Sequence, residues 1–358
     1  MDVRTAVAAS MLPASRAAVA AAFRELRHDD AARGSAYAFL ELLWSICRRG
    51  EAAPLTTVSE LLAAAAAALE TGERQGIIAV PLFDERYPPL LACINDPPPV
   101  LWAKGAFETL TKPAVAVIGS RAASPYALQV GTRIAAGLAE RGIVVVSGLA
   151  RGVDSAAHRG CLEGRGPTAA VLGCGLDRVY PPEHADLASE IADRGVLLGE
   201  LAPGAAPLSE HFPLRNRIIS GLSLATVVVE ASEHSGSLIT ARCAMEQGRD
   251  VMAVPGSVLT GRNRGSHALL KDGARIIETA DDILNELGWP AARDRPDAPR
   301  KSLISGPVVD RMLPGESYDL DTLVATTGMD GPSILARLTE LELAGIVGVF
   351  RGRYTRRA

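Results

Sequence analysis

The chain lacks the residues that would make a metal centre or a disulfide framework. Its five cysteines, Cys47, Cys93, Cys161, Cys174 and Cys243, are scattered, contain no CxxC pair and add to an odd number. That usage fits ordinary buried thiols in a reducing compartment, and so a cytoplasmic location. The six histidines fall at no metal-ligand spacing with them. Long apolar runs are missing as well. The alanine tract LLAAAAAALE at 61–70 favours helix, but it is too short and too flanked by charge to span a bilayer. No basic segment followed by a leucine-rich core opens the chain, so no export signal is expected. Nor is there an excess of positive charge: 37 Lys and Arg stand against 41 Asp and Glu, a formal charge of −4. A nucleic-acid binder of this composition has to gather its cations in one place.

At 358 residues the chain is long enough for two or three domains. Residues 1–79 are Ala-rich and amphipathic and predict a small helical domain, with helices in RAAVAAAFREL, AYAFLELLWSICRRG and VSELLAAAAAALETG. The proline-rich stretch VPLFDERYPPLLACINDPPPVLWAKG forbids regular helix and predicts a structured connector over 80–112. From 114 the period changes. Short apolar runs recur at 114–118, 143–147, 168–173, 196–199, 225–230, 251–255 and 274–278, with helix-like stretches between them. Apolar strands alternating with helices predict a mostly parallel sheet covered on both faces, a doubly wound α/β domain reaching to residue 288. Its first helix has a Ser124 cap, Pro125 at the first position and Gly142 as the stop. A Pro- and charge-rich linker is expected over 289–302. The tail, 303–358, reads as three short helices and a two-strand hairpin, the pattern of a winged-helix domain, and carries Arg351, Arg353, Arg356 and Arg357.

Ligands of an open parallel sheet bind beyond the carboxyl ends of its strands. There the chain places Gly119-Ser120-Arg121, then Ser147-Gly148 with Arg151, then HFPLRNRIISGL, then Ser235-Gly236-Ser237. Glycines, hydroxyls and arginines at helix N-termini make an anion site. The oddest stretch is Arg215-Asn216-Arg217, two cations read as lying at the start of a helix, where the dipole already favours acids. One of the two is expected to pair structurally with Glu200 or Glu230, because side chains two apart on a helix diverge. Phe212 is either core or a platform for a base, and Tyr180 is read as packing. The first turn is not GxGxxG and no GxxxxGK[ST] is present, which argues against a dinucleotide enzyme and a P-loop nucleotidase. Ser147, Asp154 and His158 are the best candidates for a nucleophile with its base, but Asp154 as a helix cap and His158 as a partner of a loop carbonyl is the preferred reading.

The stretches VAVIGSRAAS, GLAERGIVVVSGLARGVDSAAHRGCLEGRGPTAAVLGCGLDRVYPPEH, HFPLRNRIISGLSLATVVVEAS and SGSLITARCAMEQGRDVMAVPGS strongly resemble the DprA/Smf family of DNA-processing proteins. The likeness covers about 80–280 and continues in ILARLTELELAGIVGVFRGRY, and is weak over 1–75. It implies a Rossmann-like domain and a cytoplasmic, usually homodimeric, non-enzymatic protein without cofactor or metal. That protein would bind single-stranded DNA during natural transformation, protect it and load the RecA recombinase. The residues matching the family's phosphate-gripping pocket are Gly119, Ser120, Arg121, Ser147, Gly148, Arg151, Phe212, Arg215, Asn216, Arg217, Ser235, Gly236 and Ser237. Where family members often carry basic residues, this chain has Pro182, Ser209 and His234, with Glu183, Glu210 and Glu233 alongside. Each missing phosphate contact should lower the salt dependence by about one. The implied consequence is weaker binding per subunit and more reliance on joining two pockets in a dimer. The alternative is a related Rossmann-like enzyme that binds nucleotides or cleaves their N-glycosidic bond. Its PGGxGTxxE signature has only HSGSLITARCAME, at 234–246, as a counterpart here.

Overall fold

The computed structural model describes residues 2–12, 14–26, 35–47, 58–289, 306–313, 316–350 and 352–356. Apart from Trp289, the expected linker lies outside the described residues, as do Arg351 and Arg357. No helix among the described residues is long and apolar enough to cross a membrane.

At the centre is a nine-stranded sheet in the order β1-β2-β6-β5-β4-β3-β7-β8-β9. Strands β3 (Ala114–Ile118), β4 (Val144–Ser147), β5 (Thr168–Leu172), β6 (Val196–Gly199), β7 (Ala225–Val228), β8 (Asp250–Ala253) and β9 (Arg275–Ile276) run parallel. Every residue of β3 to β7 is buried, which explains their largely apolar sequences: helices cover both faces, so no alternation with polar positions is needed. The seven strands are the seven expected from sequence. Two more come from the connector. Strands β1 (Ile77–Pro81) and β2 (Val100–Gly105) form an antiparallel hairpin that adds to the β6 edge. Proline is tolerated because Pro81 ends its strand and β1 is the outermost. Strand β1 also straddles the boundary expected at 79/80.

The covering helices are α6 (Pro125–Glu140), α7 (Val153–Glu163), α8 (Ala185–Arg194), α9 (His211–Gly221), α10 (Ser237–Glu246), α11 (Arg264–Lys271) and α12 (Ala280–Glu286). A single turn, α5 (Pro89–Ala92), sits inside the connector. Helix α6 starts as read: the Ser124 Oγ accepts from Ala127 N at 3.2 Å, Pro125 follows, and Gly142 adopts φ +76° beyond the last turn. Helices α1 (Val3–Ser10), α2 (Arg16–Leu26), α3 (Ala36–Cys47) and α4 (Val58–Arg74) precede the sheet. They form no separate core: Phe23, Phe39, Leu40 and Ala65 share one apolar cluster with Trp102, Leu172 and Leu197 of the sheet.

The C-terminal part has its own core of Val308, Met312, Leu323, Ile334, Leu338 and Val347. The first of its three expected helices shrinks to a 3-10 turn, Val309–Arg311. Helices α13 (Leu320–Thr327) and α14 (Gly331–Leu343) follow, then the expected hairpin β11 (Val347–Phe350) and β12 (Arg353–Arg356). A short strand β10 (Ser317–Tyr318), not foreseen, pairs with β12.

From β3 the chain steps outward through β4, β5 and β6, then crosses to β7 on the other side of β3. Strand order therefore reverses between β3 and β7. Loops on either side of such a reversal part company, and the crevice lies beyond those two carboxyl ends.

Candidate nucleic-acid interface

A cleft of about 610 Å³ opens at that reversal. Its first wall is the β3–α6 turn. A Cβ on Gly119 would lie 2.6 Å from Val153 Cγ2 and 3.0 Å from the Glu230 carbonyl oxygen, so only glycine lets the strand end pass between α7 and β7. Ser120 N donates to Glu230 O at 2.7 Å and Val153 N to Ser120 O at 3.2 Å, stitching the turn to both neighbours. Gly152, at φ +79°, makes the close approach from the other side: a Cβ there would lie 2.1 Å from Ser120 O. The Glu230 carboxylate turns to the start of α6, accepting from Ser124 Oγ at 2.5 Å and Ser124 N at 3.1 Å. That helix N-terminus already holds an anion.

The second wall is the start of α10. Its N-cap, Gly236, supplies no side-chain hydrogen bond, and the Ser235 and Ser237 hydroxyls, 2.7 Å apart, face the cleft. Asn216 Nδ2 reaches Gly236 O at 3.5 Å and ties this turn to α9. Ser235 Oγ accepts only weakly from Ser237 N, at 3.4 Å, and a positive helix end beside two hydroxyls is a site for negative charge.

The third wall is aromatic and cationic. Phe212, in the first turn of α9, lies 5.3 Å from the Tyr180 ring, tilted by 42°. The Arg121 guanidinium is 5.6 Å from the Phe212 ring centroid, within cation–π range. Arg121 is exposed and belongs to no ion pair among the described residues.

Helix α9 begins at His211, so Arg215 and Arg217 lie in its second turn, not at its start. Their side chains diverge as expected. Arg215 forms the cleft floor: Nη1 donates to Gly148 O at 2.7 Å and to Val171 O, and Nη2 is 4.0 Å from Asp154 Oδ2. Burial pushes the Asp154 carboxyl up and the Arg215 guanidinium down, and their mutual attraction opposes both effects. Asp154 also accepts from Gly148 N at 3.2 Å and Ala150 N at 3.4 Å, closing the loop before α7. It therefore braces the loop from inside the first turn, and Gly152 is the N-cap. Arg217 points away. It pairs with Glu200 and, through Nε, with Asp96 Oδ2 at 2.8 Å. Burial alone would lower its pKa, but the two carboxylates outweigh it and raise it. Glu200 is thus the acid that neutralises one arginine, and Glu230 has the separate task at α6.

Of the residues singled out in the sequence, Gly119, Ser120, Arg121, Phe212, Arg215, Asn216, Ser235, Gly236 and Ser237 line the cleft. Gly148 and Arg151 line a small recess adjoining it. Arg151 is in an exposed ion pair with Glu183, so its charge is partly spent. Arg217 and Ser147 lie outside the cleft. The Ser147 hydroxyl is buried and donates to Val117 O at 2.7 Å. His158 is buried behind the floor, its Nδ1 2.8 Å from the Thr168 hydroxyl instead of a loop carbonyl. Burial first, then Arg215 and His184, hold His158 down to about 3. Tyr180, read as packing, does pack on Phe212 and also lines the cleft at 39 % exposure. The signal for it was its place in the loop after β5, on the same carboxyl rim. Among the described residues no group of three or more His, Cys, Asp or Glu is placed to hold a metal ion.

Residues 79–288 match the profile of the family described as DNA recombination-mediator protein A. The chain belongs to the DprA/Smf family. It is 40 % identical over 287 residues to Protein Smf of Escherichia coli, covering 77 % of this chain and 76 % of that one. It is 45 % identical over 205 residues to DNA processing protein DprA of Streptococcus pneumoniae, covering 57 % of this chain and 72 % of that one. The crystal structure of the Streptococcus pneumoniae protein superposes with a TM-score of 0.66 at 34 % identity, covering 80 % of this chain and 98 % of the other. DNA processing protein A of Helicobacter pylori, whose structure concerns its single-stranded DNA binding mode, superposes with a TM-score of 0.54 at 31 % identity, covering 59 % and 95 %. The family's relatives are named for DNA processing and recombination mediation.

Proposed function

We propose that the cleft binds single-stranded DNA and that this family member acts as a recombination mediator, without turnover. The observation that carries the reading is the Arg121–Phe212–Tyr180 cluster set beside the serine hydroxyls at the start of α10. A phosphate can sit between Arg121 and the Ser235–Ser237 turn while a base lies on the Phe212 ring. Such stacking needs the face of an unpaired base, which duplex DNA does not offer. The single-stranded DNA binding of the Helicobacter pylori relative supports the same assignment. Gly119, Ser120, Gly148 and Asn216 shape and brace the site. Arg215 supplies positive potential from the floor, and Arg151 contributes after yielding Glu183. Ser147 and Arg217 support the site from outside it.

Homodimerisation, protection of incoming strands in the cytoplasm and loading of RecA belong to the same reading. So does a division into a Rossmann-like domain that carries the N-terminal helices on its sheet and a winged helix (303–358). In that last part Arg353 and Arg356 donate to Ser317 O, Val309 O and Met312 O, which supports a structural role for them over DNA contact.

The test is fluorescence anisotropy on a labelled oligo-dT at two salt concentrations. Arg121→Ala should weaken binding and flatten its salt dependence by about one phosphate contact. Equal, salt-insensitive affinity for wild type and Arg121→Ala sinks the proposal.

A further inference from the structure

The loop after β8, residues 255–263, carries the two most exposed large aliphatic side chains of the sheet's carboxyl rim: Val258 at 77 % and Leu259 at 91 % exposure. Two adjacent bare aliphatics on a fixed loop are a candidate contact surface. This loop is not slack. Asn263 Nδ2 donates to Ser257 O at 3.4 Å, Leu259 N to Ser257 Oγ at 3.2 Å, and His267 Nε2 is 3.1 Å from Gly256 O. It is also braced against the cleft. Arg262 Nη1 donates to the carbonyl of Ala122, a cleft-lining residue, at 2.7 Å, and Ser266 Oγ accepts from Ala231 N at 3.0 Å at the end of β7. The fixed loop therefore presents its apolar tip outward.

The tip has cations beside it. Arg262 and Arg264 are both exposed; Arg262 has no carboxylate partner among the described residues, and Arg264 only a loose one, Glu233 at 3.9 Å. Aliphatic surface in a loop that also carries guanidinium groups suits a strand with unpaired bases on a phosphate backbone. The carboxyl end of β8 is two strand spacings, about 9–10 Å, from that of β3. That is within reach of the nucleotides next to the one in the cleft.

We propose that the 255–263 loop is a second contact for single-stranded DNA, with Val258 and Leu259 packing on bases of the strand leaving the cleft and Arg262 holding its phosphate. The proposal rests on the cleft reading and extends it. It assigns the loop to bases, so its effect depends on bases being present.

The experiment compares wild type, Arg121→Ala, Val258→Ser/Leu259→Ser and Arg262→Ala on labelled dT20 and on an abasic 20-mer with the same phosphates. The loop double variant should bind dT20 about three- to tenfold more weakly, bind the abasic strand like wild type, and keep the wild-type salt dependence. Arg262→Ala should weaken both strands and lower the salt slope by about 0.7. Unchanged dT20 affinity of the double variant, while Arg121→Ala weakens binding, overturns the loop proposal and leaves the cleft reading standing. Wild type that fails to bind either strand overturns the cleft reading and this one together. Sedimentation of the double variant decides the remaining case: if its weaker binding coincides with loss of a dimer, the tip is a contact between copies and the proposal is wrong.

Discussion

Arg217 and Glu200 meet in a bidentate pair, Nη2 to Oε1 at 2.7 Å and Nη1 to Oε2 at 3.1 Å, with both side chains close to fully buried. Arg16 of α2 reaches the same carboxylate at 3.2 Å. One glutamate thus ties the N-terminal helices to α9, the helix that carries Phe212 and Arg215. A motif that looks in sequence like two DNA-facing cations divides into a cation under the cleft and a clamp behind it.

Breaking that clamp should act on stability. Arg217→Met leaves Glu200 and Asp96 short of a buried partner and is expected to destabilise the fold by about 3–5 kcal/mol in urea titrations. Adding Glu200→Gln should recover part of the loss, since a neutral amide is easier to bury. If Arg217→Met were as stable as wild type and yet failed to bind DNA, Arg217 would be a DNA contact after all.

Phe212 gives the complementary prediction. Phe212→Ala should leave thermal stability close to wild type, since the ring is only half-buried, but weaken oligo-dT binding by about 1–3 kcal/mol. Phe212→Trp should retain binding. Loss of stability without loss of affinity for the folded fraction would make the ring a packing residue.

Gly152, the N-cap of α7, packs directly against the first wall of the cleft. Its φ of +79° and the Ser120 oxygen 2.1 Å from a notional Cβ leave no room for a side chain. Gly152→Ala should destabilise by more than about 1 kcal/mol and displace the Ser120-Arg121 turn, so DNA affinity falls with it. A neutral stability change would show that the turn can move freely.

His158 makes stability depend on pH. Its pKa is depressed from 6.5 to about 3 in the fold, so between those values the unfolded chain binds a proton that the folded one refuses. This contribution is fully present above about pH 6.5 and is lost as pH falls, at roughly 1.4 kcal/mol per pH unit. Urea midpoints measured from pH 7 to 5 should fall more steeply for wild type than for His158→Gln. Parallel lines would mean that His158 is protonated in the fold.

The parallel sheet was legible because its cause is local. Runs such as AVAVI in β3 and AAVL in β5 are apolar at every position only if both faces are covered, and Ser124-Pro125 starts a helix by its own capping chemistry. The carboxyl-rim glycines and serines could be named for the same reason: each follows its strand directly in the chain. The β1–β2 hairpin was missed because it has no stability of its own and becomes a strand pair only by joining the β6 edge. That Tyr180 packs on Phe212 at the cleft was not legible, because the two are far apart in sequence.

By itself, then, the sequence determined the fold class, the rim on which a ligand would sit and the residue types gathered there, since periodicity and capping act over a few residues. Tertiary structure alone decided which cations are left without a carboxylate at the cleft. Arg217 is neutralised by Glu200 and by Asp96, the latter 121 positions earlier, and Arg151 by Glu183, while Arg121 meets no carboxylate among the described residues. A charge is attractive to phosphate only in proportion to what the fold has left unpaired around it, and that is set by long-range packing.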